Sequence, residues 1–169
     1  SGTQTNMNIN EVISNLASQA SGTALGSHQP VHPNDHVNRS QSTNDVFPAA
    51  IHVAAAKHLK EELLPALDAL VQALDAKAQA WMPIIKIGRT HLQDAVPLRL
   101  GDEVGAWRDQ LKQAQAWLEG SLVSLGDLPL GGTAVGTGLN TPPGFRHAVA
   151  EELSRVAGVK VRPADNLFA

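Results

Sequence analysis

Apolar residues recur along this chain at spacings of three and four, and polar residues gather in the stretches between those runs. Such spacing puts side chains on one face of a helix. Ile9, Val12 and Leu16 make the first face, behind the polar opening Ser1-Gly2-Thr3-Gln4-Thr5-Asn6, whose hydroxyls and amides suit helix capping. Capping does not need Ser1 and Thr3 together, so both are also candidates to face a pocket. Residues 44–82 carry a longer pattern: Phe47, Ile51, Ala55 and Leu59 step by four, then Leu63, Leu67, Leu70, Leu74, Ala78 and Trp81 by three and four. A narrow seam of this kind belongs to a long packed helix, which Pro65 should kink or divide. Residues 98–126 repeat the seam through Val104, Trp107, Leu111, Ala114, Leu118, Leu122 and Leu125, and residues 143–157 fit a short helix on Phe145, Val149 and Leu153. There is no internal repeat and no strand-like alternation of useful length. The pattern predicts an all-α fold, a bundle of long helices. The seams are wide for a lone monomer, so the helices are expected to pack between subunits.

Three polar stretches separate these helices. Residues 22–41 are broken by Gly22, Gly26, Pro30 and Pro33. Within and just after them run His32-Pro33-Asn34-Asp35-His36 and Ser42-Thr43-Asn44-Asp45. The second run reads as a helix start, where exposed N–H groups favour anions. His32, Asp35 and His36 could be metal ligands, but catalytic zinc needs three ligands with an ordered second shell, and no further ligand cluster is apparent. A hydrogen-bonding surface for a carboxylate fits better, and a capped, solvated turn is the plain alternative. Residues 83–97, bounded by Pro83 and Pro97, are predicted to be a loop; Arg89 to Asp94 packs an arginine, a hydroxyl, an imidazole, an amide and a carboxylate into six positions. Residues 127–142 are glycine-rich, but no lysine follows as in a P-loop, and the glycine spacing is not that of a dinucleotide fingerprint. Their backbone N–H groups and threonines could approach an anion closely. His52 and His58 lie inside a helical pattern and are read as structural.

Composition narrows this picture. The 169 residues are 43 % hydrophobic but only 4 % aromatic, with no tyrosine, so Leu, Ala, Val and Ile must build the core. The absence of cysteine excludes disulfides and thiolate metal sites. No run approaches the roughly 20 apolar residues of a membrane span. A net charge of −3 without a basic block argues against a nucleic-acid partner. Seven histidines remain to move protons near neutrality. Three polar loops without a metal or nucleotide signature suit a small polyanionic substrate and proton transfer.

Five stretches together resemble class II fumarase, within the fumarase/aspartase superfamily. They are Ser1-Gly2-Thr3-Gln4-Thr5-Asn6-Met7-Asn8, His32-Pro33-Asn34-Asp35, Ser42-Thr43-Asn44-Asp45, Gly88-Arg89-Thr90-His91-Leu92-Gln93-Asp94 and the loop Gly131–Gly138. The resemblance runs through essentially the whole chain, in order. It implies reversible, cofactor-free hydration of fumarate to (S)-malate, as a tricarboxylic acid cycle enzyme of the cytoplasm or of the mitochondrial matrix. It also implies a homotetramer whose active sites are each built from three subunits. Ser1, Thr3, Ser42, Thr43, Asn44 and Thr90 would contact the substrate carboxylates, Gly2 would do so through its backbone, and His91 would be the acid–base histidine. His32, Pro33, Asn34 and Asp35 resemble a second dicarboxylate site near the entrance of the active site. Residues 1–40 would close an N-terminal lyase domain and 41–169 would begin the central helical domain. The superfamily's Ser-Ser-x-Met-Pro-x-Lys-x-Asn loop, source of the catalytic base, has no counterpart in these residues, and the chain opens without methionine; it is expected to be an internal piece of a longer enzyme. An aspartate ammonia-lyase relative is the alternative, although that group typically carries Gln where His91 stands. A non-catalytic helical assembly module is another.

Overall fold

The computed structural model describes residues 1–168. The chain forms α1 (Gly2–Ala20), α2 (Thr43–His58), α3 (Leu64–Ala80), β1 (Ile85–Thr90), β2 (Gln93–Arg99), α4 (Leu100–Leu125), β3 (Asp127–Leu128), α5 (Phe145–Ala157) and β4 (Arg162–Pro163), with π-helical turns at Pro33–Val37 and Leu59–Leu63. The predominantly helical class expected from the apolar spacing is what forms. Two compact units result: Ser1–Lys57 with the stretch from Leu125 onward, and His58–Ser124.

In the first unit α1 buries its polar side. Asn6, Asn10, Ser14 and Ser18, spaced by four, are buried, while Ile9, Val12, Ile13 and Leu16 are each between 44 % and 58 % exposed. The buried stripe works by hydrogen bonding. The Asn6 and Asn10 amides donate to Asn38 Oδ1 at 3.2 and 3.1 Å. The Ser14 and Ser18 hydroxyls donate to the carbonyls of Val31 and Gln29 at 2.6 and 2.7 Å. An irregular segment leaves some of its backbone groups unpaired by its own turns, and here the neighbouring helix supplies partners for them. That is why residues 22–41, rich in glycine and proline, hold one path along α1. The apolar core of this unit is Ala49 and Ala56 of α2, Leu128 and Leu130, Ala150 of α5, and Val159 and Val161. β3 pairs in parallel with β4. His52 takes a structural place: its Nδ1 lies 3.1 Å from the Asp127 carbonyl oxygen.

In the second unit Pro65 stands in the first turn of α3, where its missing N–H sacrifices no helical bond. α3 and α4 pack through small residues. A Cβ at Gly101 would run into the Ala78 carbonyl and the Met82 sulfur, so only glycine permits that approach. Val71, Ala78 and Val104 are buried there, and Arg108 Nη1 bridges to Asp75 Oδ1 at 2.6 Å.

The stretch expected to be a loop over residues 83–97 is instead largely an antiparallel hairpin. Ile85 pairs with Arg99, Ile87 with Pro97 and Thr90 with Gln93, with an irregularity between Ile87 and Arg89. Its signal is hidden for two reasons. Pro97 and Gly88 interrupt the alternation that marks a strand, and the two-residue turn lacks the Asn-Gly pair that usually announces one. Lys86 Nζ holds the hairpin to Glu103 of α4 at 2.6 Å.

Candidate active site

The N-terminus of α2 is built by its own sequence. Ser42 caps it: its hydroxyl accepts the Asn44 N–H at 3.2 Å, and Asp45 Oδ1 accepts the Ser42 N–H in return at 2.9 Å. This is a reciprocal capping box with aspartate in the third helical position. Asp45 then reaches further. Its Oδ2 accepts the N–H groups of Gly131 and Thr133 at 3.0 and 2.9 Å, joining segments 86 and 88 residues apart. Its side chain is 2 % exposed.

The glycine-rich stretch is therefore fixed rather than free. Asn44 Nδ2 donates to the Ala134 carbonyl at 2.7 Å, and Ser40 Oγ to the Asn140 carbonyl at 3.1 Å. Thr133 adopts φ +57°, a left-handed conformation that costs a β-branched residue about 1–3 kcal/mol and persists only where the surroundings impose it. Its hydroxyl is buried with no hydrogen-bond partner among the described residues. A Cβ at Gly131 would meet the Arg146 side chain at 2.7 Å, which excludes a larger residue there.

These pieces wall a cleft of about 720 Å³, lined by Asn34, Asp35, Ser42, Thr43, Thr133 and Asn140 among others. It brings together two groups that the sequence presents separately: Ser42 and Thr43 from the helix start, and Asn34 and Asp35 from the proposed second site. The remainder of that second site lies beside it. His32 caps the turn Pro33–Val37, its Nδ1 accepting the N–H groups of Asn34 and Asp35 at 3.2 Å each. His36 Nδ1 accepts the His32 N–H at 2.8 Å. Both lone pairs are thus engaged by backbone donors. Pro33 is buried and Asn34 and Asp35 are exposed.

Ser1 caps α1, its hydroxyl accepting the Gln4 N–H at 3.3 Å. Gly2 packs where a Cβ would strike the Phe47 ring at 2.9 Å. Thr3 is exposed in the first turn. Thr43 Oγ1 accepts the Asn6 amide at 3.0 Å.

Thr90 and His91 belong to the second unit. Thr90 ends β1, and His91 and Leu92 are the central residues of the hairpin turn, with φ +49° and +61°. Left-handed backbone at two side-chain-bearing residues costs about 1–2 kcal/mol each. His91 is exposed, makes no hydrogen bond among the described residues, and stands at the tip beside Leu92, which is 94 % exposed. The Arg89–Asp94 pair below the turn, 3.1 Å apart, is exposed and contributes little to stability. A two-residue hairpin turn itself calls for left-handed backbone at both positions, and it leaves the imidazole exposed at the tip.

Asp45 and Thr133 are the site residues that reading from sequence missed. Asp45 closes the Ser42-Thr43-Asn44-Asp45 run, and an acidic residue three places after a serine cap was the available signal. Nothing local marks Thr133, because its strain and its unpartnered hydroxyl arise from contacts across the fold.

The whole chain, residues 1–169, matches the lyase family model. The chain belongs to that family. Within it, the chain is 70 % identical over 169 residues to the class II fumarate hydratase of Parasynechococcus marenigrum, covering all of this chain and 36 % of that protein. It is 57 % identical over 168 residues to the mitochondrial fumarate hydratase of Danio rerio, covering 99 % of this chain and 33 % of that protein. The crystal structure of class II fumarase from Schistosoma mansoni superposes with a TM-score of 0.93 at 40 % identity, over 99 % of this chain and 38 % of the other. That of a fumarate lyase:delta crystallin from Brucella melitensis superposes at 0.90 and 41 %, over 99 % and 36 %. The chain spans about a third of the length of these relatives.

Proposed function

We propose that these residues are part of a class II fumarate hydratase, which adds water reversibly to fumarate to give (S)-malate without a cofactor. The observation that carries this reading is the capped start of α2, where Ser42 and Thr43 stand on a polar cleft walled by the glycine-rich loop, with Asn44 tying helix and loop together. Hydroxyls, an amide and helix N–H groups suit a carboxylate. The 70 % identity to a fumarate hydratase across the whole chain supports it independently.

In this reading Ser1, Thr3, Ser42, Thr43, Asn44 and Thr90 bind the substrate carboxylates, with the Gly2 backbone. His91 moves or positions the proton of the reacting water. A donor-rich setting stabilises the carbanion whose charge spreads onto the neighbouring carboxylate. The base that removes the proton comes from outside these residues. His32, Pro33, Asn34 and Asp35 form a second dicarboxylate site. Residues 1–40 end an N-terminal domain and 41–169 begin the helical domain of a cytoplasmic homotetramer serving the tricarboxylic acid cycle, with each active site shared between subunits. The exposed apolar residues of α1 and α4, among them Ile9, Leu16, Trp107 and Trp117, support that assembly, since large apolar surface of this kind is ordinarily covered.

The test is fumarate absorbance after mixing the full-length protein carrying these residues with (S)-malate and, separately, with aspartate. Signal from malate alone is expected. Signal from aspartate would reassign the chain to the ammonia-lyases, and silence with both would leave the helical module without catalysis.

A further inference from the structure

Asp45 is the only charged side chain in the buried set among the described residues, and it forms no ion pair there. Its three partners are all backbone N–H groups, from Ser42 on one side and from Gly131 and Thr133 on the other. A carboxylate accepts at both oxygens and donates nothing, so it is suited to gathering donors from two chain segments. We infer that Asp45 is a positioning residue, which sets the register of the α2 N-terminus against the glycine-rich loop and so places the cleft's carboxylate-binding groups. The inference rests on the proposed reading of the cleft as a dicarboxylate site.

Three observations favour positioning over mere stabilisation. Of the three residues bonded to Asp45, two, Ser42 and Thr133, line the cleft, and Thr43 and Ala134 beside them do so too. The joint holds Thr133 at φ +57° and leaves its hydroxyl buried without a partner among the described residues. A joint serving stability alone would gain by relaxing both, and imposed strain of this kind gathers at functional walls. Finally, Asn44 closes the same joint a second time, through the carbonyl of the cleft-lining Ala134. Asp45 itself is sealed away from the cleft, so its effect passes through the groups it holds.

The test compares full-length wild type with Asp45→Ala and Asp45→Asn. Asparagine keeps the shape and one oxygen for Gly131 and Thr133, but turns an NH2 toward the Ser42 N–H or the reverse. Amide hydrogen exchange in peptides covering 42–45 and 129–134 is expected to accelerate in both variants. KM for fumarate is expected to rise about tenfold in Asp45→Ala and less in Asp45→Asn, with kcat changing by less than about threefold, the pattern of lost uniform binding. If Asp45→Ala does not fold, Asp45→Asn carries the KM comparison. Faster exchange with KM unchanged would reduce Asp45 to a structural residue, and unchanged exchange would remove the tether altogether. Wild type silent with fumarate would instead sink the functional reading, while the exchange comparison would still decide whether Asp45 holds the wall.

Discussion

The Asn44 side chain donates to the Ala134 carbonyl at 2.7 Å, across 90 residues of sequence. This bond makes a helix start and a distant glycine-rich loop into one surface. It also holds the Asn44 side chain in place, committing its amide N–H to the loop.

His91→Asn separates chemistry from backbone. Asparagine tolerates the left-handed region that His91 occupies at φ +49°, so the hairpin is expected to survive with its circular dichroism unchanged. Turnover of the full-length enzyme is expected to fall by about 10²-fold or more, the size of a lost acid–base group. Unchanged turnover would remove His91 from the mechanism.

Asp35→Ala addresses the second site. Asp35 is exposed on the cleft rim, 3.5 Å from His32 Nδ1. Turnover is expected to stay within about twofold of wild type, as for a residue that makes no transition-state contact. A collapse in kcat would place Asp35 in the reaction itself.

Leu92→Gly probes the strained turn. Leu92 holds φ +61° and is 94 % exposed, so its side chain gains little from its surroundings. Glycine enters that conformation freely but loses more chain entropy on folding. Stability is expected to rise by about 0.5–1 kcal/mol in urea unfolding, the strain relieved exceeding the entropy lost. A drop in stability would show that the leucine packs against something essential.

Ser14→Ala tests the buried polar face of α1. The Ser14 hydroxyl donates to the Val31 carbonyl at 2.6 Å, and its loss leaves a half-buried acceptor without that donor. A destabilisation of about 1–3 kcal/mol is expected by denaturant unfolding. A neutral result would mean that water replaces the hydroxyl.

Arg155→Gln has a reading in pH. The Arg155 side-chain hydrogen bond holds the Glu152 carboxyl below its ordinary value. A carboxyl lowered in the folded state stabilises above its unfolded value, and that contribution disappears as pH falls through the folded one. The pair is exposed, so the effect on stability is small. NMR titration of Glu152 is expected to move upward in Arg155→Gln; no movement would show that the pair does not persist in solution.

Local spacing and capping are enough to read most of the helices and where the polar residues gather. Spacings of three and four depend only on local geometry, so α3, α4 and α5 could be read within a few residues, and Ser42 announced the start of α2 because a cap acts on its own first turn. The hairpin at His91 was not legible, since Gly88 and Pro97 break the alternation and the turn conformation is imposed against local preference. Nor was the burial of α1 by its polar face. Periodicity shows that Asn6, Asn10, Ser14 and Ser18 share a side, but which side is covered depends on a segment with unpaired carbonyls coming to lie on it. Asp45 and Thr133 depend on tertiary structure most of all. A carboxylate and two amide N–H groups more than 80 residues away meet only when the chain folds, and the strain and unpartnered hydroxyl of Thr133 exist only in that meeting.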